Sequence, residues 1–261
     1  MFLEFEDRPS DSPLVERVWR SHSERGGTFT SVASSHIEMV VSRVRGNVSM
    51  TLRGPETRAT PAVCPADGEW LGIRFTLGTF LPQHPASALM DRQDERAPVL
   101  GGRFSLDGFE WEYPTFENAE AFVHRLVQRG VIGRDAGVMA VLHGDRRTLS
   151  RRSTQRHFVH AAGITHTRFR QIERARYATS LLKHGVSILD AVHDAGYFDQ
   201  PHLTRSLGHL VGQTPARIVR GDEQLSFLYK TTPPETPMMQ DRVSHHDDFA
   251  TRKDHLDRAR S

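Results

Sequence analysis

Two short stretches of this chain set arginine, amide and hydroxyl side chains on the outward face of a helix. In the string SRRSTQRHFVHAAG from Ser150, Phe158 and Ala162 share the inward side while Arg152, Ser153, Gln155 and Arg156 point away from it. In QPHLTRSLGHL from Gln200, Leu203, Leu207 and Leu210 pack inward and turn Gln200, His202, Thr204, Arg205 and His209 to other faces. A guanidinium can bind a guanine edge with two hydrogen bonds, and a carboxamide can do the same for adenine, so both faces suit base edges in a major groove.

Other chemistry has weaker support in the residues. His36 and Glu38 stand two apart on a strand, which is how a metal pair can begin, but no HxH lies near and His84 falls in a proline-flanked stretch. Ser31, Ser34 and Ser35 near His36 lack the G-x-S-x-G turn of a nucleophile. Cys64 is the only cysteine, so it has no intrachain disulfide partner and belongs to no CxxC motif. His245 and His246 beside Asp247 and Asp248 lie in a polar tail. Catalysis is therefore unsupported, and neither a metal nor a cofactor is expected. The alternative kept open is a metal-dependent enzyme using His36 and Glu38.

The outward faces require helices with defined ends. Ser187 can cap a helix carrying Ile188, Leu189, Val192 and Ala195 on its buried side, and Gly196 supplies a left-handed stop. Asp199 caps the next helix, with Pro201 in its first turn, and Gly212, Thr214 and Pro215 close it and open another. The earlier pattern is looser. Val138, Val141 and Leu142 give a short helix, a polar turn runs from Gly144 to Thr148, Ser150 caps the helix from Arg151, and Gly163 ends it. Between the two, Thr165 caps a helix to about Lys183 with Phe169, Ile172, Ala175, Ala178 and Leu182 on one stripe. At 1.5 Å per residue this spacer is about 27 Å long, of the order of one duplex turn.

The order Ala195, Gly196, Tyr197, Asp199, His202, Leu203, Arg205, Leu207, Gly212, Thr214, Pro215 resembles the AraC/XylS transcription regulators, and SRRSTQRHFVHAAG resembles the first recognition helix of that family. The resemblance implies an AraC-type double helix-turn-helix domain and double-stranded DNA as partner. By position in the family pattern, the base readers are Arg152, Ser153, Gln155 and Arg156 in one unit and Gln200, His202, Thr204 and Arg205 in the other. Arg151, Arg168 and Arg170 are candidates for phosphate contact, with Arg174 and Arg176 further along the spacer. RNA polymerase is an implied partner if the regulator activates, and a small-molecule effector and a homodimer are left open. The resemblance also implies a cupin-like sensor or dimerisation domain in the N-terminal half. Gly208 and His209 depart from the basic residues often found at their positions, which weakens phosphate contact from that turn.

Charge follows the same division. Residues 131–221 carry 13 Arg and one Lys against six acids, net +8, whereas residues 1–130 carry 14 Arg against 18 acids, net −4. A positive region of this size is the footprint of a polyanion partner. In the N-terminal half the apolar period alternates through Ile37, Met39 and Val41, then Val48, Met50 and Leu52, then Leu71, Ile73, Phe75 and Leu77, which predicts short strands in a small barrel or sandwich. Leu14, Val18 and Trp19 predict a short helical or extended opening segment, and Pro85 to Val99 a short helix and charged loop. Trp70, Phe75, Phe80 and Trp111 are expected to fill the core of this half, the alternative being that they line a ligand pocket.

The fold expected is α+β in two domains. Residues 1–113 form a β-rich domain and 114–134 a bridging helix capped by Thr115 with a stripe from Phe116 to Val127. Residues 135–221 form the helical DNA-binding domain, and 222–261 a disordered tail. Neither a secretory pattern at the start nor a membrane-length apolar run is visible, so a cytoplasmic location is expected.

Overall fold

The computed structural model describes residues 3–92, 95–97, 99–100, 102–142 and 150–221. Its first half contains strands β1 (Leu3–Pro9), β2 (Val15–Ser23), β3 (Gly27–Ser31), β4 (Glu38–Val44), β5 (Asn47–Arg53), β6 (Thr60–Cys64), β7 (Gly68–Phe75) and β8 (Thr79–Phe80), then the short helix α1 (Ala86–Leu89). Strands β9 (Glu95–Arg96), β10 (Val99–Leu100), β11 (Arg103–Leu106) and β12 (Phe109–Trp111), helix α2 (Ala119–Gln128) and strand β13 (Gly133–Arg134) follow. The helical half is α3 (Ala136–Leu142), α4 (Arg151–Ala162), α5 (His166–Lys183), α6 (Ile188–Asp194), α7 (Gln200–Leu210) and α8 (Pro215–Arg220).

The main sheet has the order β1-β2-β7-β4-β5-β9, with every neighbour antiparallel. Alternation along a strand gives this sheet two unlike faces. One face is apolar: Val18, Met39, Val41, Met50, Leu52, Ile73 and Phe75 are buried in one cluster with Phe104, Trp111 and the Ala119, Phe122, Val123 and Leu126 stripe of α2. Phe122 meets Trp111 edge-on at 5.9 Å and Phe104 at 6.1 Å. The opposite face is polar and aromatic, and the β3–β6 ribbon stands over part of it.

Several expectations change here. Among the described residues the sheet does not close into a barrel, because β1 and β9 lie at opposite edges and β3 pairs only with β6. Alternation establishes which residues share a face, whereas closure needs the edges to pair. Of the two alternatives for Leu14, Val18 and Trp19 the extended one holds, with Val18 and Trp19 in β2 at the sheet's interior. Helix α2 begins at Ala119, since Thr115 and Asn118 exchange hydrogen bonds in a turn ahead of it. Its stripe packs on the sheet, and Arg8 of β1 holds its first turn through Glu120. Turn residues Gly144 to Thr148 and the tail 222–261, with His245 and His246, lie outside the described residues.

In the helical half the expected caps are in place. Ser150, Thr165, Ser187, Asp199 and Thr214 each accept a backbone N–H from the first turn of α4, α5, α6, α7 and α8 respectively. Phe169, Ile172, Ala175, Ala178 and Leu182 make α5 the central helix, with Phe158, Ala191, Ala195, Leu203, Leu207, Leu210 and Ile218 packed around it. In α6 the inward line is Ala191 and Ala195, while Leu189 is 71% exposed, because small residues let α6 lie close to α5. Val32, Ala33 and Leu77 of the sheet half belong to this same cluster.

Removal of a buried ring should therefore be costly in either half. Phe122→Ala and Phe158→Ala should each lose about 3–5 kcal/mol of unfolding free energy in urea titrations, whereas Phe198→Ser, at a side chain 90% exposed, should stay within about 0.5 kcal/mol.

Candidate nucleic-acid interface

Helices α4 and α7 share one plan: a free N-terminal half and a docked C-terminal half. In α4, Arg152, Gln155 and Arg156 are exposed and stand at i, i+3, i+4, a spacing that puts them on one stripe. Ser153 is half-buried, and its N–H is the one given to the Ser150 cap. Arg151 opens the helix by its backbone; its side chain is outside the described set. In α7, Gln200 and Arg205 are exposed, and Thr204 is half-buried. His202 is also half-buried, with its ring edge-on to Tyr197 at 5.1 Å. Tyr197 is held by Ser206 at 3.0 Å, which fixes the α6–α7 turn against the first turns of α7.

The C-terminal ends meet the sheet half. In α4, His157 Nδ1 lies 2.9 Å from Asp135, which also accepts the Val138 N–H at the start of α3. Burial alone would raise the Asp135 carboxyl, and the His157 and Val138 hydrogen bonds outweigh it and hold the group below its ordinary range. His160 packs on Phe80 at 4.9 Å. The residues leading into α3 are themselves paired, since β13 hydrogen-bonds to β8 and the Asp135 N–H reaches the Gly78 carbonyl at 2.8 Å. In α7, the carbonyls of His209 and Leu210 accept N–H groups from Ala59 at 2.9 Å and Ala33 at 2.8 Å. Two glycines make the close approach possible. Gly163 after α4 has φ 68°, and a Cβ there would stand 2.6 Å from the Ala86 backbone; Gly212 after α7 has φ 79°, and a Cβ would meet Thr30 at 2.9 Å.

The arginines of α5 divide by environment. Arg170 is exposed. Arg168 donates to the Thr57 carbonyl and stands 2.8 Å from His209 Nε2, so it bridges the two halves. Arg174 stacks over the Tyr197 ring at 4.5 Å, and Arg176 pairs with Glu173 at 3.1 Å. Residue type and outward spacing did not separate these roles, because the sheet half that occupies Arg168 approaches from far away in sequence.

His36 and Glu38 sit in a buried ionic cluster at this seam. Glu38 accepts from Arg74 Nε at 2.6 Å, and His36 Nε2 lies 3.2 Å from Glu16. Ser35 donates to Glu173 of α5 at 2.9 Å. Burial keeps the His36 imidazole below its ordinary range despite Glu16. Burial would raise Glu16, and its neighbours His36, Arg74 and Arg176 outweigh that and hold it at about 2. Among the described residues no three His, Cys, Asp or Glu side chains group as a metal site. The histidine and the carboxylate that suggested one are engaged with Glu16 and Arg74.

Of the four aromatics that could fill the core or line a pocket, Phe75 and Trp111 fill the apolar core and Phe80 lies on the seam. Trp70 alone faces a cleft, which lies on the polar side of the sheet with Trp19. The Ala33 and Ala59 contacts carry no local signal in the sequence, since backbone N–H groups in loops look alike whatever they bind.

Residues 145–221 match the family model of a helix-turn-helix domain, a span that contains α4 to α8. No curated protein and no solved structure matches the chain. No helix among the described residues is long and apolar enough to cross a membrane.

The seam makes stability fall in acid in two stages. A histidine whose folded value lies below its free value of 6.5 stabilises fully above 6.5, and that contribution is lost as pH falls below it, because only the unfolded chain then takes the proton. Glu16 and Glu120, both held at about 2 against 4.5, add a second loss as pH falls below 4.5. Urea unfolding at a series of fixed pH values should resolve both stages, and His36→Gln should remove the upper one and reduce the lower to the part carried by Glu120 and by what Arg74 and Arg176 still do for Glu16.

Proposed function

We propose that this chain, whose residues 145–221 match a helix-turn-helix domain, is a DNA-binding transcription regulator of the AraC type, in which α3–α4 and α6–α7 are two helix-turn-helix units that read successive major-groove segments on one side of a duplex. The observation that carries this reading is the shared plan of α4 and α7. The free N-terminal halves hold the base-reading candidates, as a recognition helix requires. In α4 these are Arg152, Ser153, Gln155 and Arg156, and in α7 Gln200, His202, Thr204 and Arg205.

Exposed Arg152, Gln155, Arg156, Gln200 and Arg205 are the side chains free to reach base edges. Ser153, His202 and Thr204 contribute at closer range, from half-buried positions near the helix surface. Arg170 and Arg151 serve phosphates, and Arg168 reaches a phosphate only by leaving Thr57 and His209. Helix α5, with 18 residues and about 27 Å of length, sets the separation of the two units. The mechanism is binding without covalent chemistry. Control lies with the sheet half, through an effector or through self-association, and RNA polymerase is the further partner if the protein activates.

Selection of duplexes from a random pool by the full-length protein tests this reading. Two short blocks about one helical turn apart should be enriched, with at least about 10³-fold preference over a scrambled control. Arg156→Ala and Arg205→Ala should each cost about 1–3 kcal/mol and relax preference at one base pair, whereas Arg170→Ala should weaken all sequences alike and lower the salt slope by about one. Wild-type binding by both of the first two variants would refute the assignment.

A further inference from the structure

We propose that the cleft over the polar face of the sheet binds a planar ring compound bearing a hydrogen-bond acceptor. The idea deepens the regulator reading and rests on it only in taking this compound as the effector.

Strand register lays out the floor of the cleft. One cross-strand row runs Phe5, Ser21, Trp70, Ser42, Ser49, and the next runs Trp19, Gly72, Val40, Thr51. A third row, Arg74 beside Glu38, closes one end with a salt bridge at 2.6 Å. The β3–β6 ribbon supplies a wall through Phe29 and Val63, and the enclosed space is about 640 Å³, within the usual range for small-molecule sites.

This composition is unlike the other face of the same sheet. A sheet face covered by protein is ordinarily filled by large aliphatic side chains. Here Ser21, Ser42, Ser49 and Thr51 leave room, and two indoles lie along the floor. Trp19 can lie there only because position 72 is glycine: a Cβ would stand 2.0 Å from its ring. Flat aromatic walls select flat ligands by stacking.

The polar demand is specific. Trp19 is 7% exposed, and its Nε1 N–H is sheltered without any acceptor in the protein. A buried donor left without a partner is destabilising, and an acceptor on the ligand would relieve that. Glu38 is engaged by Arg74 and Glu56 accepts the Ser31 hydroxyl at 2.7 Å, while Arg45 and Arg53 also line the cleft. A planar carboxamide, carbonyl or ring nitrogen meets the indole N–H, and serine and threonine hydroxyls serve its remaining polar atoms.

The cleft also touches the DNA-binding half. Ser31, Val32, Ser34, His36 and Glu56 line it, and they belong to the two loops whose Ala33 and Ala59 N–H groups hold the end of α7. An occupant that moves either loop acts on the recognition helix.

Three tryptophans make the test direct: Trp19 and Trp70 line the cleft, and Trp111 lies in the opposite core with its N–H on the Leu106 carbonyl at 3.2 Å. The indole N–H resonances of the full-length protein, free of DNA, are followed during titration with 4-hydroxybenzamide and nicotinamide. Cyclohexanecarboxamide serves as the non-planar control. The Trp19 signal should move downfield and saturate, Trp70 should move with it, and Trp111 should stay. The control should bind more weakly, and Trp19→Phe should weaken the planar amides about tenfold. The proposal is overturned if neither planar amide shifts Trp19 saturably, or if cyclohexanecarboxamide binds as well as they do. It is also overturned if a Trp19→Phe protein that still melts cooperatively binds them unchanged. Should Trp19→Phe fail to fold, the wild-type titration with its control decides alone. Loss of selective DNA binding with the amide titration intact would count against the regulator reading and leave the site standing.

Discussion

The arrangement of this chain turns on the two carbonyls that end α7. A helix leaves its last carbonyls without intrahelical partners, and burial of such a group unpaired costs about 1–3 kcal/mol. Here those of His209 and Leu210 are satisfied by Ala59 and Ala33, from loops of the sheet half more than a hundred residues earlier in the chain. The helix that carries Gln200 and Arg205 is thus oriented by the β-rich half as well as by its own helical neighbours. At the other unit, Gly163 on Ala86 and His160 on Phe80 do the same for α4. With β13 paired to β8 at the junction, the two halves meet along a continuous seam.

Contacts across the seam and within the helical half together decide which cations stay exposed. Arg152, Arg156, Arg170 and Arg205 are exposed, whereas Arg168, Arg174 and Arg176 are engaged with Thr57, Tyr197 and Glu173. The net charge of +8 over residues 131–221 therefore overstates the number of free contacts while still describing the long-range field. Buried ions within the seam hold one another: Glu38 with Arg74, and Glu16 with His36. Each would be costly to strand alone, and Ser35 beside them ties the cluster to Glu173 of α5.

The sheet has a division of labour across its thickness. Its apolar face, with α2 and Phe104, Trp111 and Phe122, is the core that makes the first half stable. Its polar face, with Trp19 and Trp70 among serines, leaves space. The same strands serve both ends because side chains alternate, so structural and binding residues interleave one by one.

Much of the helical half was legible in the order of its residues. Caps and stops act locally, so Ser150, Thr165, Ser187, Asp199 and Thr214 mark helix starts wherever the chain folds, and the leucine spacing of α7 names its inward side. Alternation likewise placed β4, β5 and β7. Where small residues do the packing the pattern misled: Leu189 reads as core, yet Ala191 and Ala195 are what α6 buries. The sequence by itself thus determined the helices, their ends, the central strands and the residues that face outward, because these depend on neighbours within a few positions. Only the tertiary structure decided that the sheet stays open, that α2 packs on it, which arginines are free, and that Trp19 lines a cleft. Each of those depends on contacts between segments distant along the chain, whose partners no local spacing names.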